Sequence, residues 1–359
     1  MDALMLPSNW KRVRLGDILT LKHGRDYKKF KLGNIPVYGS GGYMLSINNF
    51  LHNGESVCIG RKGTIDKPIY LNGKFWVVDT LFYSYSFKKS IPKFIFYAFS
   101  IIKWSNYNEA TGVPSLTKMT ISNIEIPLPP LNEQIAIANI LSALDHYLYT
   151  LDALILKKES VKKALSFELL SQRKRLKGFN QAWQKVRLGD ILSYEQPTKF
   201  LVATTQYLQK GFTPILTAGK TFILGYTNDK HGIYTNIPVI IFDDFTTDSK
   251  MVNFPFKVKS SAIKILSLRD NNQADLKYIY EKLTLLKHQV TDHKRYWIDE
   301  FSNIEIPLPP LNEQIAIANI LSDLDSEIIS LKNKKRQFDN IKKALNHDLM
   351  SAKIRVLKK

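Results

Sequence analysis

The chain is 359 residues long, 44% of them hydrophobic and 11% aromatic, which is enough for two domains of ordinary size with buried cores. Its 51 Lys and Arg residues against 32 Asp and Glu give a charge of +19, so nucleic acid is the first expected partner. The single cysteine, Cys58, excludes a disulfide framework and a four-cysteine zinc site, and fits a reducing cytoplasm. Met1 to Trp10 lacks the apolar run of a signal peptide, and no run of about 18 apolar residues follows, so we expect a cytoplasmic protein without a membrane partner.

The first motif along the chain is the heptapeptide VRLGDIL at Val13 to Leu19, which begins three residues after Trp10. The same heptapeptide recurs at Val186 to Leu192, three residues after Trp183. The two copies begin 173 residues apart, which is far longer than the period of a solenoid repeat. The chain therefore contains two related units, each larger than one turn of a repeat array.

The stretch after each heptapeptide is rich in short apolar segments bounded by turn residues, which is typical of strands. The predicted strands are Ser56 to Gly60, Ile69 to Tyr70, Phe75 to Val78, Leu81 to Phe87, Pro238 to Phe242 and Ala262 to Leu268. A short helix is predicted after them in each unit, at Pro92 to Trp104 and at Asp275 to Lys287. The two middles differ in sequence, since IPVYGSGGY at Ile35 to Tyr43 corresponds to TPILTAGKT at Thr213 to Thr221. We expect a mixed α/β domain with a curled sheet in each unit.

Each unit ends in a nearly identical motif. Ser122 to Asp145 reads SNIEIPLPPLNEQIAIANILSALD, and 23 of its 24 residues recur at Ser302 to Asp325. The alternating Ile and Leu residues predict a short strand, and the two prolines that follow should end it and begin a helix with Asn132 as its cap and Glu133 in the first turn. The second copy repeats this pattern at Pro309, Pro310 and Asn312.

Apolar residues in the helix pattern then recur in alternating steps of four and three, which is the seam of a coiled coil. The seam residues are Leu141, Leu144, Leu148 and Leu151 in the first copy and Leu321, Leu324, Ile328 and Leu331 in the second. Lysines interrupt the seams, and each helix should span roughly 40 residues, or about 60 Å. Two such helices are expected to pair in antiparallel fashion; the alternative is that each is buried in its own domain.

The sequence therefore predicts an α+β fold with a pseudo-twofold repeat, in which two mixed α/β domains are separated by two long helices that form an antiparallel coiled coil. The expected segments are 1–125, 126–178, 179–305 and 306–359, the second and fourth being the repeat regions with the long helices. Most of the positive charge lies in those regions: Lys157 to Lys177 carries 8 basic and 2 acidic residues, and Lys332 to Lys359 carries 10 and 2. These stretches are predicted to be solvated helix faces, with contact to a DNA backbone as the alternative.

The arrangement of IPLPPLNEQ leading into a long helix, used twice after variable domains opened by W-x-x-VRLGDIL, resembles the specificity subunits of type I restriction-modification enzymes across the whole chain. The resemblance implies two target-recognition domains, 1–125 and 179–305, each reading one half of a bipartite site in double-stranded DNA. It also implies that the helices set the spacing, that the repeat regions bind two modification (methyltransferase) subunits, and that restriction subunits join through the complex. The chain itself would then be the non-catalytic part of an endonuclease and adenine methyltransferase complex.

No motif for catalysis, cofactor binding or metal binding stands out in the sequence. The chain has no Asn/Asp-Pro-Pro-aromatic tetrapeptide and no Walker loop, and Gly39 to Gly42 lacks the spacing of a dinucleotide loop. The closest resemblance to a nuclease is Asp244 with Asp248 and Lys250, since paired acids and a lysine can hold magnesium. We expect an acidic turn there, no cofactor and no metal, and a core position for Cys58.

Base readout needs Arg or Lys for guanine and Asn or Gln for adenine on loops that reach base edges. In the first middle, the candidate DNA contacts lie in three loops rich in glycines, hydroxyls and cations. They are Gly39, Ser40, Arg61, Lys62, Gly63, Thr64, Thr111, Ser115 and Lys118. Plain β-turns with solvated ends are the alternative.

In the second middle, the loop after the Val239 strand is acidic where its counterpart is basic, and Asp can accept a hydrogen bond from cytosine N4. The candidates here are Thr217, Lys220, Tyr226, Asp243, Asp244, Thr246, Thr247, Lys250, Lys294, Arg295 and Tyr296. Two other functions remain open: a stand-alone DNA-binding or scaffold protein with two domains on a coiled coil, and a metal-dependent nuclease that uses Asp244 and Lys250.

Overall fold

The computed structural model of the chain describes residues 6–203, 205–219, 221–286 and 296–356. It divides into two compact units, the first made of Met1–Ala153 with Asn333–Lys359 and the second of Leu154–Lys332. Each unit thus joins one variable domain to parts of both long helices. The finer division into four segments stays a prediction. Within the described ranges, no helix combines the length and apolarity needed to cross a bilayer.

The described part of the first unit begins with ten strands and three short helices. They are β1 (Lys11–Arg14), α1 (Leu15–Ile18), β2 (Thr20–His23), β3 (Leu32–Gly39), β4 (Gly42–Ile47), β5 (His52–Asn53), β6 (Ser56–Gly60), β7 (Ile69–Leu71), β8 (Lys74–Val77), β9 (Leu81–Tyr85), α2 (Pro92–Ile101), α3 (Lys118–Asn123) and β10 (Glu125–Leu128). The long helix α4 (Leu131–Leu170) follows directly after the two prolines.

Three sheets organise this unit. Strands β2, β9, β6 and β7 form an antiparallel sheet in the order β2-β9-β6-β7, and a second sheet has the order β4-β3-β8-β5 with β3 and β8 parallel. The heptapeptide strand β1 pairs with β10 of the repeated motif, so that Val13 lies opposite Ile126. The largest core lies under helix α2 and includes Trp104, Phe94 and, from the first turns of α4, Ile137 and Leu141.

The second unit repeats this order of elements, except that its described residues contain no strand that corresponds to β5. Its described elements before the second long helix are β11 (Gln184–Arg187), α5 (Leu188–Ile191), β12 (Leu192–Glu195), β13 (Thr213–Leu216), β14 (Ile223–Thr227), β15 (Val239–Asp243), β16 (Ser249–Val252), β17 (Lys257–Val258), β18 (Ile263–Leu268), α6 (Leu276–Leu285), α7 (Tyr296–Asp299) and β19 (Glu305–Leu308). The second long helix is α8 (Leu311–Met350).

The two variable domains share one sheet topology although their sequences differ. The sheet β12-β18-β15-β16 corresponds to β2-β9-β6-β7, and β14-β13-β17 corresponds to β4-β3-β8. The parallel pairing also recurs, since Leu216 lies opposite Val258 as Tyr38 lies opposite Val77. The divergent middles are therefore one fold with two sets of surface side chains.

Both long helices contain 40 residues, as predicted, and segments of them run antiparallel in each unit. In the first unit Lys335 pairs with Asp152 at 2.9 Å and Lys342 pairs with Asp145. In the second unit Lys158 pairs with Glu327 at 2.8 Å and Lys162 with Asp325 at 2.6 Å. The lysines that interrupt the predicted seams therefore bind carboxylates of the other helix.

None of the eight predicted seam residues is exposed to solvent. Leu141, Leu148, Leu151, Leu321 and Ile328 are buried, and Leu144, Leu324 and Leu331 are partly buried. The first turns of each helix also pack on their own domain core, which was the alternative prediction. Both arrangements are present because successive parts of one helix serve different neighbours.

Most predicted elements agree with the structure to within one or two residues. The strand at Ser56–Gly60 is confirmed, whereas α2 ends at Ile101 because Trp104 begins a separate turn of 3₁₀ helix. Asn132 was predicted as the cap of the first long helix, but that helix already begins at Leu131. Cys58 is fully buried, and burial raises the pKa of its thiol to about 12.

Candidate nucleic-acid interface

In the first unit, the loops that follow strands β3, β6 and β8 meet at one end of the two larger sheets. The backbone N–H of Val78 donates to the carbonyl of Tyr38 at 2.9 Å, which joins the ends of β8 and β3. The N–H of Arg61 donates to the carbonyl of Thr80 at 2.8 Å, which joins the end of β6 to the same loop. Backbone hydrogen bonds thus fix the position of this loop cluster.

The structure brings the predicted residues Gly39, Ser40 and Gly63 together within this cluster. The Ser40 N–H donates to the Thr80 hydroxyl at 3.3 Å, and a side chain at Gly63 would lie 3.2 Å from the Ser40 hydroxyl. Gly63 also has a φ of +85°, a conformation that L side chains rarely adopt. Glycine at this position therefore allows the two loops to approach closely.

The loop from Asn108 to Leu116 joins the same cluster. The N–H of Gly63 donates to the Pro114 carbonyl and that of Leu116 donates to the Arg61 carbonyl, both at 2.9 Å. The Asn108 side chain accepts from the N–H groups of Ala110 and Ser115, so the loop is ordered by its own hydrogen bonds. Two candidate loops that lie about fifty residues apart in sequence are thus one surface.

Several side chains on this surface are open to solvent. Thr111, Lys118 and Lys62 are exposed, and Ser115 and Thr64 are partly exposed. Nearby, hydrogen bonds from the hydroxyls of Thr120 and Thr117 lower the pKa of Glu109, so this carboxylate is already engaged within its own loop. The exposed lysines and hydroxyl groups of this surface are therefore the groups that a polyanion could contact.

The Arg61 side chain is partly exposed and oriented by the cluster. Its Nη1 donates to the backbone carbonyl of Asp79 at 3.2 Å. The remaining guanidinium donors retain the planar fork that matches guanine or a phosphate. Arg61 therefore has the donor set that base readout would require.

An open cleft of about 830 Å³ lies beside this cluster. One wall is formed by the turn from Gly39 to Met44, and another by Asp26, Tyr27 and Lys28. Tyr43 and Met44 are 63% and 48% exposed, although large apolar side chains are usually buried. These two residues were not among the predicted contacts; the signal that the sequence offers is an aromatic residue directly after the glycine-rich stretch GSGG.

The second unit has the same loop cluster on the same backbone frame. The N–H of Lys259 donates to the Leu216 carbonyl at 3.2 Å, and that of Asp244 donates to the Ala262 carbonyl at 2.9 Å. These bonds repeat those from Val78 and Arg61 in the first unit. The predicted residue Thr217 lies in this cluster, partly exposed, and its N–H donates to the Phe222 carbonyl at 3.0 Å.

Tyr226 lies on β14 and forms an antiparallel bridge with Leu208, so this candidate belongs to the outer strand of the smaller sheet. Its side chain is partly exposed. Lys220, Lys294 and Arg295, which were also predicted to contact DNA, lie outside the described residues.

The acidic loop of the second unit is a tight turn between β15 and β16. The Asp243 carboxylate accepts from the N–H groups of Phe245 at 2.9 Å and Thr246 at 3.0 Å, which organises the turn locally. Thr247 has a φ of +58°, and its N–H donates to the Asp243 carbonyl. Thr246 is exposed, whereas Thr247 and Lys250 are partly exposed. Asp243 thus serves the turn itself.

Asp244 and Tyr296 are buried, so neither presents a side chain to DNA in this structure. The Asp244 carboxylate forms an ion pair with Lys264 at 2.8 Å, with both side chains 2% exposed, and accepts from the Trp297 N–H at 2.9 Å. Its role is to neutralise a lysine inside the domain. The described residues also contain no group of three or more His, Cys, Asp or Glu side chains placed to hold a metal ion.

The repeated motif forms the frame that carries each domain. In the first unit the buried Glu133 accepts from the Trp10 indole at 3.0 Å and from Arg355 at 2.6 and 2.9 Å. In the second unit Glu313 accepts from Trp183 at 3.0 Å and from Arg175 at 3.1 and 2.6 Å. These contacts pin the heptapeptide strand, the helix start and the tail of the other long helix.

The glutamine beside each of these glutamates completes the frame. Gln134 is fully buried, accepts from the Ile91 N–H at 3.0 Å and donates to the carbonyls of Lys89 and Pro129. Gln314 makes the equivalent bonds to Asp275, Gln273 and Pro309. The near-identity of the repeats therefore has an internal structural reason, because Glu and Gln position the helix that follows the sheet.

Two segments of the chain, residues 7–159 and 180–338, match the family model of the type I restriction modification DNA specificity domain. The chain is 46% identical over 172 residues to the specificity subunit of the type I restriction enzyme EcoR124I/EcoR124II of Escherichia coli. That alignment covers 46% of this chain and 41% of the relative, so it spans less than half of that protein. The chain is also 24% identical over 423 residues to the MjaVIII specificity subunit of Methanocaldococcus jannaschii, covering 99% and 95% of the two chains.

Among solved structures, the fold is similar to that of the S subunit of a type I restriction-modification system from M. genitalium. The TM-score is 0.72 at 18% sequence identity, and the alignment covers 97% of this chain and 98% of the other. The identity is low, so the likeness concerns the shared arrangement of elements.

Proposed function

This chain belongs to the type I restriction modification DNA specificity family, and on that premise we propose that it reads a bipartite DNA site, one half with each loop cluster, without catalysing a reaction itself. The observation that supports this most is the shared frame with different side chains. Arg61 and Asp244 occupy the same backbone position, as do Thr80 and Ala262. Two half-sites of different sequence would require the same loop backbone in both units with different side chains on it.

The side chains of the two loop clusters differ in a way that would suit half-sites of different sequence. The first offers Arg61 and Lys62, whose donors match the acceptors of guanine and of phosphate. At the corresponding position the second has a buried ion pair followed by Phe245, which is 50% exposed and suited to an apolar contact such as a thymine methyl group. Each cluster would therefore favour different bases.

The repeated frame is the proposed docking surface for two modification subunits, with restriction subunits joining through the resulting complex. Two equal frames in one chain can present like surfaces to two copies of one partner, as a symmetric dimer would. The seam residues, Leu141 to Leu151 and Leu321 to Leu331, would support this arrangement as buried or partly buried apolar positions along the two helices. The helices would also set the distance between the half-sites.

The decisive experiment is to sequence the methylated bases of a host that carries this gene with its modification partner. We expect a bipartite methylated motif that disappears when the chain is truncated. Exchange of Val13 to Ser122 for the corresponding segment of a relative should change one half of the motif only. A motif that persists without the chain, or a change in both halves, would contradict the proposal.

A single substitution at Arg61 tests the assignment of one half-site to the first loop cluster. Arg61→Ala should relax one position of one half-site, since a bidentate contact to a base contributes about 1–3 kcal/mol of discrimination. Lys118→Ala, at the edge of the same surface, should weaken binding without changing the motif if it contacts phosphate. Cleavage of DNA by the purified chain with magnesium would instead support a nuclease, and binding without any sequence preference would support a scaffold.

A further inference from the structure

A segment of the first unit that lies outside the predicted DNA contacts carries a dense positive charge beside the loop cluster. Residues Lys22 to Lys31 contain five Lys and Arg and one acid, Asp26. Arg25, Lys28, Lys29 and Lys31 are all exposed. Among the residues that the structure describes, none of these four forms an ion pair with a carboxylate, whereas the helix lysines described above do.

The segment is ordered by contacts to the domain. The Arg25 N–H donates to the Val77 carbonyl at 2.9 Å, and the Trp76 indole donates to the Arg25 carbonyl at 2.7 Å. At its far end Phe30 packs edge-on against Trp76 with ring centroids 4.8 Å apart. A side chain at Gly24 would lie 2.0 Å from the Val78 carbonyl oxygen, so only glycine allows this close approach. The cations are therefore displayed from a fixed backbone.

The fold does not require these charges. In the second unit the N–H of Val202 donates to the Val258 carbonyl at 3.1 Å, which repeats the bond from Arg25 to Val77. An apolar residue thus fulfils the same backbone role where the first unit has an arginine. The corresponding stretch from Lys199 to Lys210 contains two lysines against five cations in the first unit.

The position of the segment points to a ligand. Lys28 lies in the wall of the cleft whose other wall is the turn from Gly39 to Met44, next to the loop that carries Arg61. A duplex that reaches this loop cluster with its bases would bring its phosphates close to the cleft walls. Unpaired, exposed lysines are suited to phosphates, since they act as point charges without a geometric requirement.

We infer that the segment from Gly24 to Lys31 binds the phosphate backbone of DNA and anchors the half-site that the first unit reads. This inference rests on the proposed function and adds a division of roles within the unit. The cluster around Arg61 reads bases, whereas Lys28 and Lys29 supply affinity that carries no sequence information.

The test uses the full chain and a short fluorescein-labelled duplex of arbitrary sequence, with the dissociation constant measured by anisotropy over a range of KCl concentrations. The double variant Lys28→Gln/Lys29→Gln should lower the slope of log affinity against log salt by about 1.8, because each phosphate contact contributes about 0.9. Affinity near physiological salt should fall on the order of tenfold.

A matched control is available at the opposite end of the same sheet. Lys88 and Lys89 are exposed and follow β9 where it leaves the sheet, and antiparallel pairing of β2 with β9 places the segment at the other end. Lys88→Gln/Lys89→Gln should leave the slope unchanged. Lys28→Arg/Lys29→Arg, which keeps both charges, should also retain it and shows that the positions tolerate substitution.

The outcomes separate the two proposals. If the native chain binds no DNA at any salt concentration, the proposed function is wrong. If it binds but the Lys28→Gln/Lys29→Gln variant keeps the native slope, the anchoring role of the segment is wrong while the proposed function stands. A change in the methylated motif, instead of a loss of affinity, would also overturn the inference because it would assign base readout to these lysines.

Discussion

Arg355, which follows the second long helix, donates hydrogen bonds to both carboxylate oxygens of Glu133, near the start of the first long helix. The two residues are 222 positions apart in the chain. Hydrogen bonding to the Glu133 carboxylate raises the pKa of Arg355 above its ordinary value. Because Glu133 also accepts a hydrogen bond from the Trp10 indole, it joins an early and a late segment of the chain within the first unit.

Replacement of the buried Glu133 should lower the local stability of the first unit only. Glu133→Ala leaves the Trp10 indole without an acceptor, and an unsatisfied buried donor costs about 1–3 kcal/mol. We expect faster amide hydrogen exchange in β1 and β10 with β11 and β19 unaffected. Glu313→Ala is the matched control and should show the reverse pattern. Equal acceleration in both pairs of strands would contradict this reading of the frame.

The buried pair of Asp244 and Lys264 should behave as a structural ion pair. Asp244→Ala leaves an ammonium group unpaired inside the domain and should destabilise it by about 3–5 kcal/mol in urea unfolding. The double variant Asp244→Leu/Lys264→Met removes both charges and should recover most of that loss. If the single variant were as stable as the native chain, Asp244 would be free for another role.

A buried lysine makes the stability of the second unit depend on pH. Burial lowers the pKa of Lys282 from 10.5 to about 8, and its ammonium donates to the Leu170 carbonyl at the end of α4. Below pH 8 the folded and unfolded chains are both protonated here, and the folded chain bears the cost of a buried charge. Between about pH 8 and 10.5 the folded chain binds fewer protons, so this group's contribution to stability rises by at most about 1.4 kcal/mol per pH unit.

The measurement compares urea unfolding of the native chain with that of Lys282→Met below pH 8 and near pH 10. The stability of the variant relative to the native chain should decrease as the pH rises, because the variant has no charge to lose. The corresponding position in the first unit is Ala98, and Ala98→Ser should show no such trend. A constant difference between the Lys282→Met variant and the native chain would show that Lys282 titrates normally.

Length changes in the paired helices should alter the spacing between half-sites and leave the bases unchanged. Insertion of seven residues after Ile155, with seven more after Lys332, keeps the seam facing inward and adds about 10 Å. The methylated motif should then gain about three base pairs between its halves, at about 3.4 Å each. A single insertion in one helix is the control and should disrupt assembly. If the number of base pairs between the two halves stayed the same, the helices would not set the spacing between the half-sites.

The fold could be predicted from the sequence where apolar residues recur periodically or where a motif is repeated. The strand at Ser56–Gly60 is a short apolar run, and both long helices follow a heptad seam that only a few lysines interrupt, so the local pattern was sufficient to predict them. The repeat predicted two equal frames, but Glu133 was seen only as a favourable residue for the first turn of a helix. Its partners Trp10 and Arg355 lie at the two ends of the chain, beyond the reach of local patterns.

The candidate interface shows the same limit. Asp244 in IFDDF has the sequence of an exposed turn, but its partner Lys264 faces the core from β18, and no local rule predicts a lysine there. The fixed backbone of the basic segment around Lys28 could not be predicted from the sequence, because it depends on contacts of Arg25 with Trp76 and of Gly24 with Val78, about fifty residues away in the chain. Arg61 could be proposed as a candidate from the sequence alone, because two glycines and two cations after a strand are a local signal; its role in DNA contact stays a prediction.

The division of the chain has a consequence for synthesis on the ribosome. The second unit is one continuous segment, Leu154–Lys332, whereas the first needs Asn333–Lys359 to complete its core and to supply Arg355 to Glu133. Multidomain proteins usually complete their N-terminal domain first during translation. Here the order is reversed: the first unit remains incompletely packed until Arg355 and the residues before it, which follow the whole second unit, have emerged.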